Sequence, residues 1–328
     1  MKVMSKIDEI WSKLEAEGGV VTRLYPEKSK YEPVVGLKGI EGNRFIGFLL
    51  SPSFSFEEKR WNKIKSVKIE TYPHQKSNIL RIVLLKKDHQ EIFSTLCEDL
   101  INYVRHISEE SILVESLLGR LEKWQMLFEK TNRQGLSLSE QRGLYGEVYF
   151  LKLFLEKTRD KGSCVDSWMG PEKSVQDFQY SNWAVEVKTT QGKNHQKIHI
   201  ASERQLDDSL VKNIVLYHLS LDSRQGSGES LNSVIDQVYD SLKDNSLIAS
   251  TFRAKLMLAG YFSDHRGLYD DMGYSIRQEN IWKVSGDFPR IREKDIPEGV
   301  GDVKYSIVLS ESETWRIVQE ELFELIQQ

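Results

Sequence analysis

The chain has 328 residues, of which 39% are hydrophobic and 29% charged, and its formal net charge is −4 at pH 7. This length and apolar content exclude a disordered chain and allow one large or two ordinary globular domains. The slightly acidic balance excludes a surface that attracts polyanions over the whole molecule, so any nucleic-acid-binding surface must be local.

The cysteine content and the amino terminus both indicate a protein of a reducing compartment. Cys97 and Cys164 lie far apart and form neither a CxxC pair nor a Cys/His cluster, which argues against structural zinc and a disulfide framework. The first residues lack the apolar stretch of a signal peptide, and the densest apolar run, Phe45–Leu50, is too short to span a bilayer. The sequence therefore predicts a cytoplasmic protein without a membrane segment.

The first part of the chain predicts an α+β domain, in which a short amphipathic helix precedes an antiparallel meander and two longer helices. The predicted helices cover residues 6–17, 91–107 and 109–129, and the predicted strands cover 34–37, 44–50, 66–72 and 79–85. The polar run Thr131–Gly135 then breaks the pattern. We take this break as the boundary between a domain at 1–133 and a second at 134–328.

The second part predicts an α/β domain. Ser137 and Glu140 have the spacing of a capping box, which predicts a helix that runs to about Lys157. Strands are predicted at 174–179, 183–190, 196–201, 213–221, 273–284 and 302–310, and helices at 202–209, 229–244, 247–258 and 313–326.

The segment Val175–Lys188 has the pattern of a β-hairpin, because alternating residues flank a short polar turn. With a two-residue loop at Ser181–Asn182, Asp177 lies directly opposite Glu186. That register also places Lys188 on the face of these two carboxylates, because side chains alternate along a strand. The other face then carries only aromatic and aliphatic side chains, at Phe178, Tyr180, Trp183, Val185 and Val187.

Two directly opposed carboxylates repel each other, with Cβ atoms roughly 5 Å apart. A divalent cation resolves this repulsion, and Mg2+ suits such a site because it takes one or two protein carboxylates besides water and substrate phosphate. Lys188 would assist an attacking water and offset charge on the phosphate. The alternative is a surface hairpin in which Glu186 and Lys188 form an ordinary weak ion pair.

Two further features of the second domain can be judged from the residues themselves. Glu147 lies about 60° from the centre of the apolar stripe of its helix, at the border of the buried face, where it is either a solvated flank or a site residue. After Lys188, the chain carries many cations with Glu203 as the sole opposing charge. This basic strip, a phosphate-binding surface or a plain solvated loop, consists of Lys188, Lys193, His195, Lys197, His199 and Arg204.

Asp177 followed by Glu186-Val187-Lys188 resembles the core motif of the PD-(D/E)XK nuclease superfamily, which includes many restriction endonucleases. A preceding helix with Glu147, the segment Trp168–Pro171, and Ser202 with Gln205-Leu206 after the third strand resemble a prokaryotic PD-(D/E)XK family of unknown function. The resemblance runs from about Gly143 to Leu221 and is looser elsewhere. Gln176 stands where the name of the motif expects proline, the least chemically necessary part of the motif.

The resemblance implies a restriction-endonuclease-like α/β fold, a mixed sheet flanked by helices, after the α+β domain. It implies that Asp177 and Glu186 hold Mg2+, or Mn2+ in its place, and that Glu147 supports the ion. It further implies that Gln205 orients Lys188 or contacts substrate. Nucleic-acid contacts are expected from the residues Lys193, Lys197, His199, Ser202 and Arg204, although a capping role for Ser202 and a solvent-facing amide for Gln205 stay open.

The function expected from these features is Mg2+-dependent phosphodiester hydrolysis, with DNA favoured over RNA. The resemblance also implies a DNA endonuclease in prokaryotic defence, acting as a homodimer or with subunits of a defence complex. One alternative is a noncatalytic nucleic-acid-binding or scaffold subunit of such a complex, against which the intact Asp177, Glu186 and Lys188 argue. Another is a purely structural protein, which would bind no divalent cation.

Overall fold

The protein is described by a computed structural model that covers residues 6–15, 18–26, 29–54, 66–74, 76–130, 135–191, 197–209, 211–308 and 312–326. The chain divides into two compact units. Unit 1 comprises Met1–Arg133 and Ser250–Leu258, and unit 2 comprises Gln134–Ala249 and Ala259–Gln328. The division into domains at 1–133 and 134–328 stays a prediction. The two compact units differ from it in one respect, because Ser250–Leu258 belongs to unit 1.

Unit 1 contains a five-stranded antiparallel sheet. Its strands are β1 (Val20–Leu24), β2 (Pro33–Lys38), β3 (Asn43–Leu50), β4 (Val67–His74) and β5 (Ser77–Leu84), in the spatial order β1-β2-β3-β5-β4. The central strands β3 and β5 carry nearly continuous buried apolar residues. The edge strand β1 is largely exposed. It therefore lacks the pattern of buried apolar residues by which the other four strands could be predicted.

The helices of unit 1 are α1 (Lys6–Ser12), α2 (Gln90–Val104) and α3 (Glu110–Lys130), followed in the chain by part of a later helix. A buried carboxylate joins α2 to α3: Asp99 accepts hydrogen bonds from Arg120 Nε at 2.6 Å and from Trp124 Nε1 at 2.7 Å. This pairing satisfies a charge that would otherwise be costly to bury.

Unit 2 is built around a mixed five-stranded sheet. Its strands are β6 (Phe178–Gln179), β7 (Trp183–Gln191), β9 (Asn213–Gln225), β10 (Glu229–Ser230) and β11 (Met272–Val284), in the order β10-β11-β9-β7-β6. Strands β7 and β9 are parallel, and the other neighbours are antiparallel. A separate two-stranded sheet pairs β8 (Lys197–Ile200) with β12 (Tyr305–Val308).

Helices flank this sheet: α4 (Leu138–Lys157), α5 (Lys161–Ser167), α6 (Leu231–Leu242) and α8 (Gln319–Ile326). Helix α7 (Ser246–Leu258) begins in unit 2, and its residues from Ser250 onward belong to unit 1. The predicted capping box starts α4, with Ser137 accepting from Glu140 N–H and Glu140 accepting from Ser137 N–H. Gly146 lets α4 lie directly on β7, because an added Cβ would be 2.4 Å from Thr189 Cγ2. The fold is thus mixed α/β, with a mixed sheet flanked by helices.

Strand β7 is buried on both faces. On one face it packs against α4, and on the other Ala184 belongs to an apolar cluster built from the small sheet and neighbouring strands. That cluster contains Ile198, Ile200, Leu206, Val211, Ile214, Leu216, Trp282, Val284, Phe288 and Ile307. The surface-hairpin alternative is therefore wrong, because Glu186 is 1% exposed within the strand.

Several element bounds differ from those predicted. The strand expected at 174–179 is reduced to Phe178–Gln179, and the helix expected at 202–209 is the 3-10 turn Glu203–Leu206. The closing helix begins only at Gln319, after a 3-10 turn at Glu313–Trp315. Among the described residues, every helix is too short or too polar to cross a bilayer.

Candidate active site

The predicted hairpin register is confirmed. Phe178 pairs with Val185 and Gln179 with Ala184, and Tyr180 N–H donates to the Trp183 carbonyl at 2.9 Å. Asp177 lies one residue before β6. If the register is continued by one residue, Asp177 is opposite Glu186 of β7.

Asp177 is held by hydrogen bonds on both its backbone and its side chain. Its carbonyl accepts from Met169 N–H at 2.7 Å and from Gly170 N–H at 2.9 Å, so the preceding loop takes the place of a strand partner. Its Oδ2 accepts from Val187 N–H at 2.8 Å. The carboxylate thus occupies the β7 N–H that the next ladder hydrogen bond would use, and the ladder ends at Phe178.

Glu186 contributes a buried carboxylate whose two oxygens have different surroundings. Its Oε1 lies 2.6 Å from Lys188 Nζ and accepts a hydrogen bond from Gln205 Nε2, also at 2.6 Å. Its Oε2 is buried and has no hydrogen-bond partner. Leaving a carboxylate oxygen unpaired away from water costs free energy, so this oxygen is suited to accept a cation or a proton.

Gln205 connects Glu186 to Lys188. Its Oε1 accepts from Ala201 N–H at 2.8 Å and lies 3.4 Å from Lys188 Nζ, while its Nε2 donates to Glu186. The amide is thereby fixed in one orientation, the arrangement expected of a residue that orients Lys188.

Glu147 reaches the same region from α4, on the opposite face of the sheet. Its Oε2 accepts from Trp168 Nε1 at 2.8 Å. A Cβ added to Gly170 would lie 2.6 Å from Glu147 Oε2 and 3.0 Å from Asp177 Oδ1, so both carboxylates border the same small space.

The electrostatics of the site follow from burial and from the proximity of like charges. Burial, followed by the charge of Asp177, raises the pKa of Glu186 to about 8 and raises the pKa of Glu147 well above its usual range. Burial also raises the pKa of Asp177. For Lys188, burial lowers the pKa, but attraction to Glu186 and Asp177 outweighs it and leaves the pKa above its ordinary value.

The side chains at this site fit a divalent cation in part. Three carboxylates surround one region, burial raises the pKa of each, the charge of Asp177 further raises the pKa of Glu147 and Glu186, and Glu186 Oε2 has no partner. Within the described ranges, however, no group of three or more His, Cys, Asp or Glu side chains is arranged to hold a metal ion as it stands. The donor set matches Mg2+, which needs one or two carboxylates and fills its other positions with water and phosphate oxygens.

The residues predicted to bind nucleic acid differ in their exposure and in their neighbours. Lys197 and His199 are exposed on β8, and Lys193 lies outside the described residues. Arg204 is exposed but lies near acidic partners, 3.5 Å from Glu293 and 3.7 Å from Glu203. Ser202 caps the 3-10 turn by accepting from Arg204 N–H at 3.3 Å, which is the structural role left open for it.

Sequence reasoning did not assign a role to Trp168 and Gly170, although their segment was part of the resemblance. The signal that could have found them is a tryptophan, which has an indole N–H to satisfy when buried, two residues before a glycine near the candidate aspartate. Periodicity is uninformative here because the segment lies between a helix and a strand.

Comparison with known proteins gives one match. A family model described as "Putative PD-(D/E)XK family member, (DUF4420)" matches residues 7–310. No curated protein and no solved structure matches the chain significantly.

Proposed function

This chain belongs to the PD-(D/E)XK family DUF4420, and from that premise we propose that it is a Mg2+-dependent phosphodiester hydrolase acting on DNA. The observation that carries the proposal is the pair of fixed carboxylates at Asp177 and Glu186 beside Lys188, with Glu186 Oε2 buried and unpaired. A structural ion pair needs no second and third carboxylate, and here burial, followed by the charge of Asp177, raises the pKa of both Glu147 and Glu186.

Asp177 Oδ1 and Glu186 Oε2 are the oxygens that would hold Mg2+ or Mn2+, with Glu147 supporting from α4. The cation, when bound, supplies Lewis-acid stabilisation of negative charge on the phosphate. Lys188 keeps its proton, because the neighbouring carboxylates raise its pKa, and so acts as a fixed cation and hydrogen-bond donor. Its ammonium, positioned by Glu186 and Gln205, stabilises charge that develops as the phosphodiester is attacked.

DNA as the substrate, and a role as an endonuclease in prokaryotic defence, extend this proposal. Exposed Lys197 and His199 on β8 supply cationic and hydrogen-bonding groups that phosphates attract. Arg204 contributes less attraction than the bare sequence suggests, because Glu293 and Glu203 lie within ion-pair distance.

The test is incubation of the full chain with plasmid, linear duplex DNA, single-stranded DNA or RNA, each with Mg2+, Mn2+ or EDTA. We expect DNA cleavage with either cation and none in EDTA.

Asp177→Asn is the informative variant, because its amide oxygen can still accept from Val187 N–H while the charge is removed. It should abolish cleavage. DNA binding without cleavage in every condition would instead favour a noncatalytic subunit, and absence of both cation and nucleic-acid binding would overturn the proposal.

A further inference from the structure

The three-residue segment Trp168–Gly170 makes hydrogen bonds to two residues of the candidate site, to the side chain of Glu147 and to the backbone of Asp177. Trp168 is fully buried, and its indole N–H donates to Glu147 Oε2 at 2.8 Å. One and two residues later, the N–H groups of Met169 and Gly170 both donate to the Asp177 carbonyl. One segment therefore fixes a side chain of α4 and the backbone just before β6 at the same time.

Gly170 also keeps open the space between these carboxylates. A Cβ at this position would approach Glu147 Oε2 to 2.6 Å, Glu147 Cδ to 3.3 Å and Asp177 Oδ1 to 3.0 Å. Real Cβ atoms essentially never come within 3.0 Å of another heavy atom. Any larger residue would push at least one carboxylate away or fill the space between them.

The contact of Trp168 with Glu147 is more than the burial of an aromatic ring. A purely apolar role would be met by phenylalanine, whereas the indole N–H is directed at the buried Glu147 carboxylate at 2.8 Å. A hydrogen bond to a charged group is among the stronger ones in proteins. It holds the Glu147 carboxylate in one orientation, beside the space that Asp177 also borders.

We propose that Trp168 and Gly170 are positioning residues for the cation site, Trp168 by orienting Glu147 and Gly170 by leaving room between Glu147 and Asp177. This inference rests on the proposed function, because it assigns the collected carboxylates to a divalent cation. It goes beyond that function by naming residues that do not themselves contact substrate or cation.

The experiment measures Mn2+ affinity of the full chain by calorimetry, with thermal melting as a parallel measure of folding. Trp168→Phe should weaken Mn2+ binding by about 10- to 100-fold, the range seen when the partners of ligand side chains are removed. Gly170→Ala should weaken it at least as much. The matched controls are Trp124→Phe, which removes an indole donor to Asp99, and Gly267→Ala, which adds a methyl in open space within another 3-10 turn.

A double-mutant cycle separates positioning from general packing. In a Glu147→Gln background, Trp168→Phe should cost little further Mn2+ affinity, because the orientation that it supports no longer matters. An unchanged affinity in both Trp168→Phe and Gly170→Ala, with normal binding by the wild type, would overturn this inference alone. Equal losses in the two backgrounds would also overturn it, since they indicate a structural effect. Absence of Mn2+ binding by the wild-type chain would overturn the proposed function and this inference together.

Discussion

At the scale of single residues, the site concentrates negative charge where water is excluded. Glu186 is 1% exposed, lies near Asp177 and has one oxygen without a partner. Only Lys188 contributes a full positive charge among its direct contacts. Protons or a proposed divalent cation would relieve this repulsion, and the two would compete for the same oxygens.

In the absence of divalent ions, proton binding at the site predicts an unusual pH dependence of the free energy of unfolding. The pKa of Glu186 rises from 4.5 to about 8 on folding, so between these values the folded chain holds a proton that the unfolded chain releases. The stabilisation is present below about pH 4.5 and is lost as the pH rises through about 8, at up to roughly 1.4 kcal/mol per pH unit. Burial shifts Glu147 and Asp177 in the same direction.

Chemical unfolding in EDTA at several values between pH 5 and 8 measures this effect. The free energy of unfolding should fall across that interval, and Glu186→Gln should flatten the fall. Glu156→Gln, an exposed change on α4, is the matched control and should keep the wild-type slope. A free energy of unfolding that rises steadily with pH over this range would contradict the account.

At the scale of secondary structure elements, the hairpin was predictable because its signals are local. A polar Ser181–Asn182 turn between alternating strands fixes which residues face each other. The contacts that complete the site are not local. Gln205 meets Glu186 only after β8 and a turn, and Trp168 meets Glu147 across 21 residues, so neither contact follows from periodicity.

The length of β6 is likewise set by contacts that periodicity does not predict. Alternation extends to 174, but the chain ends its strand pairing at Phe178 because the Asp177 carboxylate, and not a backbone carbonyl, accepts from Val187 N–H. The 3-10 turn Glu203–Leu206 was mistaken for a longer helix, since it begins with a good capping serine. Sequence thus predicted the hairpin that brings Asp177, Glu186 and Lys188 together, but not the segment that fixes Asp177 and Glu147.

The packing of α4 on β7 predicts opposite effects for two glycines of one helix. Gly146→Ala places a methyl 2.4 Å from Thr189 Cγ2, so it should lower the free energy of unfolding by about 1–3 kcal/mol through overpacking. It should also weaken Mn2+ binding, because Glu147 is the next residue. Gly143→Ala meets nothing within 4 Å and should raise stability by about 0.5–1 kcal/mol through helix propensity. Denaturant melts of both variants test this pair, and a stabilising Gly146→Ala would contradict the described packing.

At the scale of the whole molecule, unit 1 is discontinuous in sequence. Its closing segment Ser250–Leu258 is the later part of α7 and contributes Ser250, whose hydroxyl donates to Glu98 Oε2 at 2.7 Å. Glu98 is itself 5% exposed. Removal of its donor would leave a buried acceptor unsatisfied, at a cost of roughly 1–3 kcal/mol.

A fragment that ends at residue 133 should therefore be less stable than unit 1 within the chain. We expect the fragment 1–133 to melt at a lower temperature than the same fragment joined through a Gly/Ser linker to residues 250–258. Circular dichroism melts compare the two, with a Ser250→Ala version of the fusion as control for the single hydrogen bond. Identical melting of the short fragment and the fusion would show that 250–258 is dispensable for unit 1.

The central claim is that Lys188 acts with the carboxylates of Asp177 and Glu186 in metal-dependent cleavage. The most direct test compares single-turnover DNA cleavage in Mg2+ for wild type, Lys188→Ala and the exposed control Lys243→Ala, with DNA binding measured separately in Ca2+. Because Lys188 stabilises charge in the transition state, its loss should lower the rate by about 100-fold or more and change DNA affinity little. Lys243→Ala should cleave like the wild type. Full cleavage activity in Lys188→Ala would contradict the account and place the cleaving site elsewhere in the chain.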